Sequence, residues 1–221
     1  DPKTKAYRPL QYKDIVILLR SMNWAPKFLE ALKDQDIPGY ANVSSGYFQT
    51  AEIMTMLSLL KVIDNPYQDI PITSVLRSPV VGLNEEQLAR IRVIDKRGAF
   101  YEAVKQFASS RHNNAEDEEI AAMLVNFLQD LERWRSLDRE NSLSDLIWQI
   151  YRDTGFYDYV GGLPGGKQRQ ANLRSFYDRA RNYESTSFRG LFRFLRFIER
   201  MQDRGDDLGE APFLGEQENV V

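Results

Sequence analysis

The sequence predicts a mainly α fold with a small α/β portion at the chain ends, and three observations carry that reading. Between Thr50 and Gly205 the apolar residues recur at the helical period, and no run there reads as clearly as a strand. The one continuous β-rich run, Asp14-Ile15-Val16-Ile17-Leu18-Leu19-Arg20, lies near the start, and Val220-Val221 opens a second at the finish. Caps, prolines and glycines cut the middle into helices of ordinary length.

Taken in order, the Asp14–Arg20 run suits a strand buried on both faces of a parallel sheet. A helix follows it, with Pro26 in the first turn, Phe28, Leu29 and Leu32 on one face, and Ile37-Pro38-Gly39-Tyr40 as its stop. Thr50 is placed to cap a helix whose stripe is Ile53, Met56, Leu57, Leu60 and Ile63, and Asn65-Pro66 breaks it. A short helix around 72–76 runs into Arg77-Ser78-Pro79-Val80-Val81-Gly82-Leu83. Asn84 and Gln87 then form a capping box for a helix over 84–94. Further helices are predicted over 99–109, 116–138, 143–153, 167–183 and 187–203, with Ile120, Leu124, Phe127, Leu131 and Trp134 along one face of the longest. Gly161 to Gly166 reads as a loop and Gly205 to Gly215 as a flexible link.

Composition narrows the chemistry. The chain has 221 residues and a net charge of -3, so any nucleic-acid surface must be local. There is no cysteine and one histidine, His112, which excludes disulfides and thiolate chemistry and leaves no basis for a His-based triad or zinc site. The lack of cysteine fits a cytoplasmic protein, and no apolar run approaches the ~18 residues of a membrane span. The polar lead Asp1 to Gln11 and the stop at Val220-Val221 read as the edges of an excised piece.

Gly161-Gly162-Leu163-Pro164-Gly165-Gly166-Lys167-Gln168 matches seven positions of a phosphate-binding P-loop, but Gln168 stands where magnesium needs Ser or Thr, and no strand feeds the loop. ATP hydrolysis by this chain is therefore not expected. Glu116-Asp117-Glu118-Glu119 complements a helix dipole rather than a metal, and His112 is read as solvated in a polar loop.

Two segments suit phosphate. Gly82 allows a tight turn that feeds a capped helix N-terminus, where N–H groups and dipole favour an anion. On the last helix, at ~100° per residue, Phe188, Leu191, Phe192, Leu195 and Ile198 fall on one side, widened by Phe194, Phe197 and Met201. Arg189, Arg193, Arg196, Arg200 and Arg204 fall on the other. With Lys167, Arg169, Arg174, Arg179 and Arg181, residues 167–204 hold ten basic side chains against four acidic ones. Such a stripe serves solubility, protein docking or the tracking of a nucleic-acid backbone.

These landmarks have a familiar order. Asp14 to Ser21, then Ile37-Pro38 with Gly46-Tyr47-Phe48-Gln49-Thr50-Ala51-Glu52-Ile53, then Arg77 to Leu83, and then Gln168-Arg169-Gln170-Ala171-Asn172-Leu173 run through the chain. They resemble, in sequence, the second-motor-domain strand, the "IPY … GxxFF…E(I/V)" segment, the "NxPxRGIG" segment and the "R-x-A-N-L" helix of UvrD-like superfamily 1 DNA helicases. Asp64 to Pro71 and Leu76 to Leu83 are similar above all to the AddA branch of helicase–nuclease subunits, relatives of RecB.

The resemblance implies that residues 1–49 are part of the second motor (2A-type) domain, as strand plus helix. Residues 50–205 would be a helical 2B-type accessory domain, and 206–221 an acidic link back to the motor domain. It implies a longer polypeptide that uses ATP and Mg to unwind DNA 3′ to 5′ and degrade it in double-strand break repair, with no cofactor in this portion. The implied partners are double-stranded DNA with a single-strand tail and a second, AddB-like subunit. Arg77, Ser78, Gly82, Leu83 and Asn84 would meet duplex phosphates, although Val81 replaces the first glycine of the family's Gly-Ile-Gly turn. Lys167, Arg169, Arg193, Arg196 and Arg200 are the further DNA-binding candidates. The competing reading is a docking module without direct DNA contact.

Overall fold

A computed structural model describes residues 9–20, 24–39, 46–185 and 189–204. Ten α-helices follow one another among them: α1 Ala25–Asp34, α2 Ala51–Asp64, α3 Asp69–Arg77, α4 Glu85–Ile94, α5 Phe100–Ser109, α6 Ala115–Glu140, α7 Leu143–Thr154, α8 Phe156–Gly161, α9 Gly166–Glu184 and α10 Leu191–Arg204. No strand occurs among the described residues.

α2 is the central post. Ile53, Met56, Leu59, Leu60 and Val62 are wholly buried, because α3, α6, α9 and α10 all pack around it. α6 lays Ile120, Leu124, Phe127, Leu131 and Trp134 into the same core, as its period requires. The core is one continuous cluster running from Tyr47 to Ile198.

The predicted strand at Asp14–Arg20 is corrected. Tyr12–Asp14 is a short 3₁₀ turn, and the run after it lies open, with Val16 75% and Leu18 90% exposed. A strand exists only by pairing with a neighbour, and the described residues provide none. α8 is an element that the sequence pattern did not reveal. Phe156-Tyr157-Asp158-Tyr159-Val160 looks strand-like by composition, yet Phe156 and Val160, one turn apart, are both buried. Gly155, at φ 61°, turns the chain out of α7 and into α8.

Two local details also differ. Thr50 sits at the start of α2, but its hydroxyl donates to the Tyr47 carbonyl at 2.9 Å instead of capping the helix. His112 is half-buried, not solvated: its ring stacks on Phe107 at 4.4 Å, with Nε2 2.9 Å from the Phe107 carbonyl oxygen. The expectations for Val220-Val221, Phe188 and the 205–215 link lie outside the described residues.

Candidate nucleic-acid interface

The Gly82 turn forms as the sequence predicts. Gly82 has φ 90°, and the Asn84–Gln87 capping box is closed in both directions at 2.9 Å. Its donors, however, face inward. The N–H groups of Val81 and Gly82 donate to the Ser78 carbonyl at 3.1 and 2.7 Å. That of Leu83 donates to the Leu76 carbonyl at 2.9 Å, and that of Asn84 to Gln87 Oε1. Ser78 is 9% exposed, and its hydroxyl donates to the Val75 carbonyl. The Leu83 side chain is 2% exposed and belongs to the core.

The charge around the turn is negative. Glu85 and Glu86 occupy the first turn of α4, where a phosphate would sit. Arg77 is paired with Glu85 and holds its carboxyl below the usual range. Arg90 is shared among Glu86, Glu116 and Asp117 at 2.7, 2.9 and 3.2 Å. Behind the turn lies a cavity of about 240 Å³, walled by Val80, Val81, Met123 and Trp134, with Asp130 and Asp153 at its polar end. Asp153 accepts from Trp134 Nε1 at 2.8 Å and pairs with Arg133 at 2.9 Å.

Arg169 is committed to the fold. Its Nη1 lies 2.8 Å from Glu52 Oε2, a carboxylate 3% exposed, and its Nε donates to the Pro164 carbonyl at 3.2 Å. Asn172 donates to the other Glu52 oxygen at 2.8 Å, and the Tyr47 hydroxyl donates to the Asn172 carbonyl at 3.0 Å. Burial pushes the Tyr47 hydroxyl pKa up. The landmarks Gly46–Ile53 and Gln168–Leu173 therefore meet each other: they knit the start of α2 to α9. The pairing of Arg169 with Glu52 was not legible in the sequence, because a partner 117 residues away leaves no local signal.

The loop before α9 is closed as well. Gly161 and Gly166 pack backbone against backbone, with no room at Gly166 even for a Cβ. This is a turn between two helices, α8 and α9. Lys167 follows it on the exposed side of α9.

α10 is different. Leu191, Phe194, Leu195 and Ile198 are buried, whereas Arg189, Arg193, Arg196 and Arg200 are exposed. Arg196 reaches Glu199 at 3.1 Å, and Lys61 reaches the same carboxylate at 3.2 Å. Arg193 forms no ion pair among the described residues. One expectation is corrected here: Phe192 and Phe197 are 61% and 41% exposed. The buried arc of α10 runs only from Phe194 to Leu195, about 100° of the helix, so the two rings flank it and reach the arginine side.

A helical body with these landmarks in this order defines a domain of the UvrD-like helicase class. The profile of the UvrD-like helicase C-terminal domain family matches residues 4–208, and the chain belongs to that family. Over its full length it is 61% identical to the ATP-dependent helicase/nuclease (A subunit) of Bacillus velezensis, 60% to that of Geobacillus thermodenitrificans and 58% to that of Listeria monocytogenes. It spans 18% of the length of each of these relatives.

Proposed function

We propose that this chain is a non-catalytic accessory domain of an ATP-dependent 3′–5′ DNA helicase/exonuclease that acts in double-strand break repair. It engages DNA through the exposed arginines of α10 and helps to position duplex DNA and an AddB-like second subunit. In this reading residues 1–49 are part of the second motor (2A-type) domain, residues 50–205 are the 2B-type accessory domain, and residues 206–221 are an acidic link returning to the motor domain. ATP and Mg are bound elsewhere in the longer polypeptide.

The observation that carries the reading is the split of α10 into a buried apolar arc and an opposite face bearing Arg189, Arg193, Arg196 and Arg200. Successive arginines about one turn apart can follow a phosphate backbone without reading its bases. Lys167, exposed in the first turn of α9, is a further candidate. Among the turn candidates, Arg77 alone offers a cation, and one of its nitrogens is engaged by Glu85. Gly82, Leu83, Asn84 and Ser78 shape the turn.

A titration of the chain into a duplex with a 3′ single-stranded tail, repeated across a salt series, tests the reading. Binding that weakens linearly in log–log form is expected. Absence of binding at low salt would contradict it. The second reading, docking without direct DNA contact, is favoured by an open apolar groove between α5 and α6 lined by Ala108, Val125 and Leu128. An apolar dock would survive salt.

A further inference from the structure

The exposed side of α10 carries more than charge. Taking Phe192 as the origin at ~100° per residue, Arg196, Arg200 and Arg193 lie at about 40°, 80° and 100°, and Phe197 at about 140°. Two rings thus flank one arginine row, displaced along the axis by about 7.5 Å. Phe197 is backed by Tyr183, ring to ring at 5.2 Å. Phe192 is 61% exposed and meets no other ring among the described residues. The carboxylates on this side are Glu199, which Lys61 and Arg196 hold, and Asp203.

A duplex turns its phosphates outward and keeps its base faces stacked, so a phenyl ring set in an arginine row reaches a base face only by unstacking a step. A single strand presents phosphates and bare base faces together, and stacking on an aromatic side chain is tolerant of sequence. We propose that the α10 face binds single-stranded DNA, with Arg193, Arg196 and Arg200 along the phosphates and one base stacked on Phe192. The inference rests on the DNA-engaging role proposed above and names the form of DNA that this face takes.

The test compares oligo-dT with a blunt hairpin duplex by fluorescence anisotropy, using the chain, Phe192→Ala, Phe192→Trp and the double variant Arg193→Ala/Arg196→Ala. These side chains are exposed, so the substitutions leave the core intact. Phe192→Ala is expected to weaken oligo-dT binding about tenfold, the loss of one stacked base, and to change hairpin binding by less than about twofold. Phe192→Trp should retain oligo-dT affinity, with its indole fluorescence quenched on binding. The double arginine variant should bind oligo-dT more weakly. Arginine-dependent binding that is indifferent to Phe192→Ala, or weakened equally for both DNAs, overturns the stacking proposal and leaves the DNA role standing. No binding to either DNA overturns both.

Discussion

The Gly82 turn and the α10 face are both phosphate candidates in sequence, and they differ in what their polar groups are already doing. At the turn, four successive N–H groups, from Val81 to Asn84, are bonded internally, and Glu85 and Glu86 occupy the helix N-terminus. The one turn cation, Arg77, sits against Glu85. On α10 an apolar arc of about 100° is consumed by the core, and the arginine side projects into solvent with two aromatic edges. A helix N-terminus attracts an anion only while its donors are available. At the Gly82 turn the donors from Val81 to Asn84 are already engaged by the fold itself.

The sharpest way to break this comparison is to remove a basic residue that the fold uses. Arg169→Ala leaves the buried Glu52 carboxylate without its counter-charge, and about 3 kcal/mol of stability should be lost in chemical denaturation. The DNA affinity of the remaining folded protein should be unchanged. Replacing Arg169 and Glu52 together with leucine should recover much of the loss, because a buried ion pair seldom outperforms good apolar packing.

Gly82→Val should cost less, about 1–3 kcal/mol, since φ 90° strains any residue with a Cβ. A lowered melting temperature with undiminished DNA binding would mark the turn as structural. The smallest effect concerns Glu85→Gln, which releases Arg77. If the turn were a masked phosphate site, this change would strengthen binding; less than about twofold is expected from one exposed pair. The pH dependence follows the same pair. Arg77 lowers the Glu85 pKa in the fold, so its contribution is present above the unfolded-state value and is lost as pH falls through the lowered folded value. A pH titration of Glu85 by NMR, with and without Arg77→Ala, checks the direction.

Much of the fold was legible because it is local. The stripes of α2 and α6, the Asn84–Gln87 box and the Asn65-Pro66 stop are all properties of a single turn or period. What stayed hidden was non-local. The strand reading of Asp14–Arg20 depended on a sheet partner that the sequence could not supply. The role of Arg169 depended on Glu52, far away in the chain, and α8 on tertiary burial of two side chains. The α10 arginines were legible as a stripe. That Phe192 stands with them was not, because the apolar pattern gives the width of a face and packing decides how much of it is covered.

The most direct test of the central claim compares salt dependence in Arg77→Ala with that in Arg193→Ala/Arg196→Ala/Arg200→Ala, on a duplex with a 3′ single-stranded tail. Losing three phosphate contacts should lower the log–log slope by roughly two to three, and Arg77→Ala should leave it unchanged. A slope lowered by Arg77→Ala and kept by the triple variant would move the DNA to the Gly82 turn and contradict the account.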